Sequence, residues 1–319
     1  MCITILYLHR IYKHIKIREI TELKSTVLQT ESIGLKAKLS DYNQLIKFRL
    51  TFTVVLSSVL GYLIGMSGEV NWTELYALTL GGFLVVASSN GLNQIVEKNY
   101  DVLMTRTENR PLAQNRMGVL EASIFCTITG IVGIYLLGTY LNQYAAILGV
   151  GSLISYAFIY TPLKRVSSVA VYIGAIPGAI PPLLGWVAAT GKFSAIAGIL
   201  FLIQFIWQFP HFWAIAWILD DDYKKAGYRL LPLKSARSKS SAMLIILSCA
   251  ILIPVSVIPY LIGMAGLVST LVITASSLAL TILAIKLYRS LSLADAKKLM
   301  FASIIYNPLV LISLLLDKM

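Results

Sequence analysis

Charged residues in this chain fall in clusters, and the stretches between them are long enough to cross a bilayer. Uncharged runs extend over Leu50–Gly68, Leu75–Val96, Ala122–Leu163, Val166–Gly191, Phe193–Leu219, Ser240–Ile285 and Leu299–Leu316. A membrane-crossing helix needs about 20 apolar residues. Two of the runs are long enough for two crossings each. The 122–163 run has a polar break at Asn142 and Gln143, and the 240–285 run breaks near Pro259–Gly263. The expectation is an all-α, polytopic membrane protein with nine transmembrane helices.

The basic residues orient those helices. Of 27 Lys and Arg, 25 fall before the first span or in the loops after spans 2, 4, 6 and 8. Lys192 and Lys318 alone fall on the other side. The positive-inside rule then places the N-terminus in the cytoplasm and the C-terminus opposite. The net charge of +12 is explained by this topology. It also suits anionic lipid and an anionic substrate, and no nucleic-acid partner is needed to account for it.

The short apolar run Ile3–Leu8 lacks a small-residue cleavage site and does not read as a signal peptide. Residues 1–41 are expected to form a cytoplasmic arm, and residues 42–319 an intramembrane domain. Acidic residues at Glu19, Glu22, Glu31 and Asp41 weigh against a mitochondrial presequence and favour a bacterial inner membrane. Cys2, Cys126 and Cys249 form no motif; the last two fall in expected spans as small packing residues, and no disulfide is expected.

Chemistry concentrates where the second span leaves the membrane. Asn93, Glu97 and Asp101 are four residues apart, which keeps them on one helical face over about 12 Å. Arg106 and Arg110 follow. The loop after span 6 reads DDDYKKAGYRLLP, residues 220–232, and opens to the same side. Oxygen ligands beside basic residues suit a hard divalent cation carrying a diphosphate. Carboxylates at a helix end are often only solvated. A polar group at membrane depth is costly and commonly functional, and Asn93 is expected there. In the 220–222 acidic run, one or two side chains at most can face a shared site. Lys164 and Arg165 read as phosphate contacts or as snorkelling end-markers. His211, in QFPHFW, reads either as a hydrogen-bonded packing residue or as a ligand. The Pro/Gly-rich segment 174–186 reads either as a distorted helix or as a cavity wall.

At these residues the chain resembles the UbiA superfamily of intramembrane prenyltransferases, within it the haem-modifying branch. The resemblance rests on N-x-x-x-E-x-x-x-D (Asn93, Glu97, Asp101), then M-x-R-T-x-x-R-P-L (104–112) and Y-T-P-L-K-R (160–165). It continues through G-A-I-P-G-A-x-P-P-L-x-G-W (174–186), P-H-F (210–212) and D-Y-x-x-A-G with L-P (222–227, 231–232). It covers roughly residues 42–316. Gln94 stands where many members have Asp, and Ala226 where a second-loop D-x-x-x-D would end; both depart from the quinone-type pattern. The resemblance implies a UbiA-type nine-helix bundle that transfers a farnesyl group from farnesyl diphosphate to a vinyl group of haem b, with addition of water. It implies Mg²⁺ on Asn93, Glu97 and Asp101, with Asp222 supporting a second ion. Arg106, Arg110, Lys164, Lys224 and Lys225 are implied to meet the diphosphate, and His211 the haem. Haem A synthase or terminal-oxidase assembly factors are implied as partners. The competing expectations are a prenyltransferase acting on a quinone or other aromatic acceptor, and a non-enzymatic transporter.

Overall fold

The computed structural model describes residues 34–234 and 236–319. The chain divides into two units, Met1–Gln44 and Leu45–Met319. Up to residue 33, the arm expected over residues 1–41 lies outside the described residues, as do the Ile3–Leu8 run and Cys2.

Among the described residues nine helices are long and apolar enough to cross a membrane. They are α1 (Phe48–Gly65), α2 (Trp72–Asp101), α3 (Val119–Tyr140), α4 (Gln143–Leu163), α5 (Ala170–Thr190), α6 (Ala195–Ile218), α7 (Lys239–Leu261), α8 (Leu267–Ser290) and α9 (Leu293–Leu316). No strand occurs among the described residues. The protein is a multi-span, all-α membrane protein, as the spacing of charges predicts.

The polar break between α3 and α4 has a physical cause. Asn142 is the N-cap of α4, and its side chain accepts from Ala145 N–H at 3.0 Å, satisfying one of the orphan donors at a helix start. The same amide donates to the Val187 carbonyl of α5 at 2.9 Å. A residue that looks like an interruption therefore also ties two helices together.

The Pro/Gly-rich segment is one continuous helix, α5, and the most buried of the nine. Lipid offers no hydrophobic drive between helices, so small residues and close backbones carry the packing. Gly185 of α5 and Gly61 of α1 do this here. A Cβ on Gly185 would collide with the Ser58 carbonyl, and one on Gly61 with the Pro182 carbonyl. Gln208 of α6 donates to the Ala175 carbonyl at 3.0 Å, holding α5 from the other side. Asn307 of α9 donates to Ser57 of α1 at 3.3 Å, joining the last helix to the first.

Candidate active site

Asn93, Glu97 and Asp101 share one face at the end of α2, and all three are buried, at 1, 4 and 0% exposure. Burying carboxylates is expensive unless they are paired, and each ladder residue has a basic partner. Arg110 Nη1 lies 2.7 Å from Asp101 Oδ2 and 3.8 Å from Glu97 Oε2. Lys164 Nζ forms an ion pair with Glu97. Lys47 Nζ donates to Asn93 Oδ1 at 2.9 Å. Two carboxylates thus face three cationic side chains, leaving room for an anion.

Lys47 arrives through a break in the helical chain. It sits in the left-handed region, φ 50° and ψ 57°, just ahead of α1. Carbonyls near such a break lose regular helical partners, and α2 supplies replacements. Gln94 donates to Leu45 O at 2.8 Å and Asn90 to Ile46 O at 3.2 Å. This accounts for Gln94, the departure from the Asp of many superfamily members: the position holds a backbone carbonyl, which a carboxylate cannot do. Desolvation pushes the Lys47 amine well below its ordinary range, and the Arg110 charge adds to this against the pull of Glu97. An incoming anion would oppose that shift.

Lys164 and Thr161 are carried by α4, whose end contains a π-helical turn, Ser155–Tyr160. Such turns commonly occur at functional sites. Asn93 Nδ2 donates to Thr161 Oγ1 at 3.1 Å, and Thr161 donates to Tyr156 O at 2.8 Å. The Lys164 ammonium lies 4.8 Å from the Tyr160 ring centroid, within cation–π range.

The loop after α2 folds back on the ladder. Thr107 Oγ1 donates to the Asp101 carbonyl at 2.9 Å, capping the helix end. Successive turns, with Thr107 N–H to Met104 O and Arg110 N–H to Thr107 O, both 3.0 Å, return Arg110 to Asp101. Met104 and Leu112 anchor the loop at 2 and 0% exposure.

The loop after α6 contributes a residue that sequence reasoning missed. The short helix Asp220–Lys225 ends with Tyr228 N–H bonding to Tyr223 O at 2.9 Å and Gly227 N–H to Lys224 O at 3.0 Å. This is the Schellman arrangement, which needs a left-handed residue at the turn, and Gly227 supplies it at φ 75°. The turn aims the buried Tyr228 inward, where its hydroxyl donates to Glu97 Oε1 at 3.4 Å. Burial, then the charges of Glu97 and Asp101, push that phenol's pKa up, so it stays a neutral donor.

Asp222 has a different immediate setting. Its oxygens accept from Thr105 N–H at 2.9 Å, Arg106 N–H at 3.2 Å and Lys225 Nζ at 3.0 Å. It fastens one loop to the other. Burial opposes its charge, but these bonds outweigh that and hold its pKa down at about 2. Lys224 pairs with Asp220, and the Arg106 guanidinium lies 6.0 Å from the Tyr223 ring centroid. His211 bonds across to α9 through Ser303.

The donor set fits Mg²⁺. One guanidinium nitrogen lies near both Glu97 and Asp101, so a single cation can serve both. Among the described residues no group of three or more His, Cys, Asp or Glu is arranged to hold a metal. Mg²⁺ characteristically takes one or two carboxylates and fills its shell with water and substrate phosphate, and Asn93 adds a neutral oxygen.

The UbiA prenyltransferase family matches residues 54–305. A curated relative from Cytophaga hutchinsonii, named protoheme IX farnesyltransferase, is 46% identical over 87% of this chain and 97% of its own length. A digeranylgeranylglyceryl phosphate synthase structure superposes with TM-score 0.74 at 22% identity, covering 88% of this chain and 98% of that one. A UbiA homologue from Archaeoglobus fulgidus, bound to GPP and Mg²⁺, gives 0.64 at 16% identity, covering 86 and 99%. This chain belongs to the UbiA prenyltransferase family.

Proposed function

We propose that this protein transfers a farnesyl group from farnesyl diphosphate to a vinyl group of haem b, with capture of water, giving haem O. The family accounts for prenyl transfer, and near-full-length relatedness to protoheme IX farnesyltransferases supports this donor and acceptor. The observation that carries the chemistry is the buried Asn93–Glu97–Asp101 face opposed by Lys47, Lys164 and Arg110.

Asn93, Glu97 and Asp101 would hold Mg²⁺, with Asp222 supporting a second ion beside the loop it fastens. Bound there, the metal supplies Lewis-acid stabilisation of the diphosphate leaving group. Lys47, Lys164 and Arg110 neutralise negative charge that develops as the allylic C–O bond breaks. The exposed Arg106, Lys224 and Lys225 receive the diphosphate from water. The apolar bundle keeps bulk water from the farnesyl cation. A vinyl carbon of haem then forms the new C–C bond. One water adds a hydroxyl to the adjacent carbon and loses a proton, and diphosphate leaves. His211 meets the haem. The loops face the cytoplasm of a bacterial inner membrane, with the N-terminus on that side and the C-terminus opposite, as the charge split argues. The product passes to haem A synthase or terminal-oxidase assembly factors.

The test is product mass. Purified protein given haem b, farnesyl diphosphate and Mg²⁺ is expected to yield a hydroxyethylfarnesyl haem. Prenylation of a quinone precursor with no haem product would overturn the acceptor assignment.

A further inference from the structure

His211 is held in a bonding pattern that determines which ring nitrogen carries the proton. Its Nδ1 lies 2.8 Å from Ser303 Oγ on α9. Ser303 Oγ in turn lies 2.6 Å from the Met300 carbonyl. A hydroxyl has one hydrogen, and a carbonyl oxygen can only accept. At that separation Ser303 donates to Met300 O, since otherwise two oxygen lone pairs would face each other. Ser303 Oγ is then an acceptor toward the ring, and Nδ1 must carry the hydrogen. Nε2 is left with its lone pair and has no hydrogen-bond partner among the described residues.

The acceptor is rigidly held. Ser303 is fully buried, at 0% exposure. The Trp207 indole donates to the Ser303 carbonyl at 2.7 Å, and its ring stacks on His211 at 5.0 Å and 16°. Ring face, Nδ1 and serine are therefore fixed as one unit between α6 and α9. A histidine prepared to bind metal shows this arrangement: an Nδ1–H held by a neighbour orients the ring and presents Nε2.

We propose that Ser303 is the positioning residue for the haem acceptor, fixing the Nδ1–H tautomer so that His211 Nε2 is presented to the haem iron. This rests on the reading that His211 meets haem b. It adds that the serine determines how His211 does so, and that Trp207 holds the pair in register. A serine in the middle of an apolar helix otherwise needs only its own turn as a partner; here it reaches a second helix 92 residues away.

The test uses ferrous haem b bound to the full-length protein in detergent. The readouts are the iron–histidine stretch by resonance Raman and the haem affinity by titration, with binding of farnesyl diphosphate and Mg²⁺ as the check on fold. The wild type is expected to show the iron–histidine band, and His211→Ala to lose it. Ser303→Ala is expected to shift or lose the band and weaken haem binding about 10-fold or more, the usual range for such supporting partners. Ser303→Thr, which restores the acceptor, should recover both. Ser303→Cys, a weak acceptor of similar shape, should fall on the Ala side, and it decides the matter if Ser303→Ala does not retain farnesyl diphosphate. A wild-type band and affinity in Ser303→Ala would overturn the serine's role and leave that of His211 standing. An unchanged haem spectrum in His211→Ala would overturn both.

Discussion

Lys47 Nζ donates to Asn93 Oδ1 across 2.9 Å, joining the entry to the first span to the ladder 46 residues further on. The contact adds a third cation to a site holding two carboxylates. If the site takes a diphosphate, removing Lys47 removes charge from the donor side only. Lys47→Met is expected to lower kcat/KM for farnesyl diphosphate by about 10–100-fold, the effect of one lost charge-assisted contact at about 1.5–3 kcal/mol. KM for haem should not change. Steady-state kinetics with each substrate varied in turn checks this.

The Asp101–Arg110 pair separates stability from catalysis. Asp101 is fully buried, and Arg110 Nη1 lies 2.7 Å from it. Removing one member leaves an uncompensated buried charge, which costs about 3–5 kcal/mol. Arg110→Gln should therefore lower the thermal midpoint in detergent. Adding Asp101→Asn should restore much of the loss, because the charge is then gone. Activity should stay absent in the double variant, since the carboxylate proposed to hold the metal is missing. Thermal unfolding and product formation on the four-member cycle test this.

Gly227 allows Tyr228 to reach Glu97. At φ 75° any side chain is strained, by about 1–2 kcal/mol. Gly227→Ala is expected to destabilise by that amount and to displace Tyr228 as well. Tyr228→Phe keeps the turn and loses one hydrogen bond, worth about 0.5–1.5 kcal/mol. If the turn positions the tyrosine, Gly227→Ala lowers kcat at least as far as Tyr228→Phe does, and combining the two adds little to catalysis. Independent effects on kcat would show that the turn has another role.

Asp222 ties the loops after α2 and α6 together through Thr105 and Arg106 N–H. Asp222→Ala should raise hydrogen exchange at those two amides while leaving amides in the middle of α2 protected. Exchange followed by mass spectrometry on 95–115 peptides reads this directly.

The nine spans were legible because charge is excluded from hydrocarbon, so sequence alone marks each helix by what interrupts it. The ladder was legible for a similar reason: a period of four puts Asn93, Glu97 and Asp101 on one face without knowledge of the rest of the bundle. Their partners were not. Thr161 meets Asn93 from 68 residues away, and Tyr228 meets Glu97 from 131. No local period encodes such contacts, which depend on how helices cross. Lys47 was counted among charges that set topology, and only the left-handed break at that residue shows that it turns toward the ladder. For Asp222 the acidic run suggested a ligand, and its bonds to the Thr105 and Arg106 N–H groups, more than a hundred residues away, were not legible. In the loop after α6, the Ala-Gly pair ending the short helix was the available signal for the turn that delivers Tyr228.

The most direct test is farnesyl transfer to haem b measured across a Mg²⁺ titration, in the wild type and in Asp101→Asn. Assistance by a metal on the ladder predicts saturable Mg²⁺ dependence in the wild type. It also predicts a rate at least about 100-fold lower in the variant at every Mg²⁺ concentration, as expected when electrostatic stabilisation of a leaving group is lost. Equal rates in the two proteins, or transfer that persists in a chelator, would contradict the assignment of the Asn93–Glu97–Asp101 face as the metal-diphosphate site.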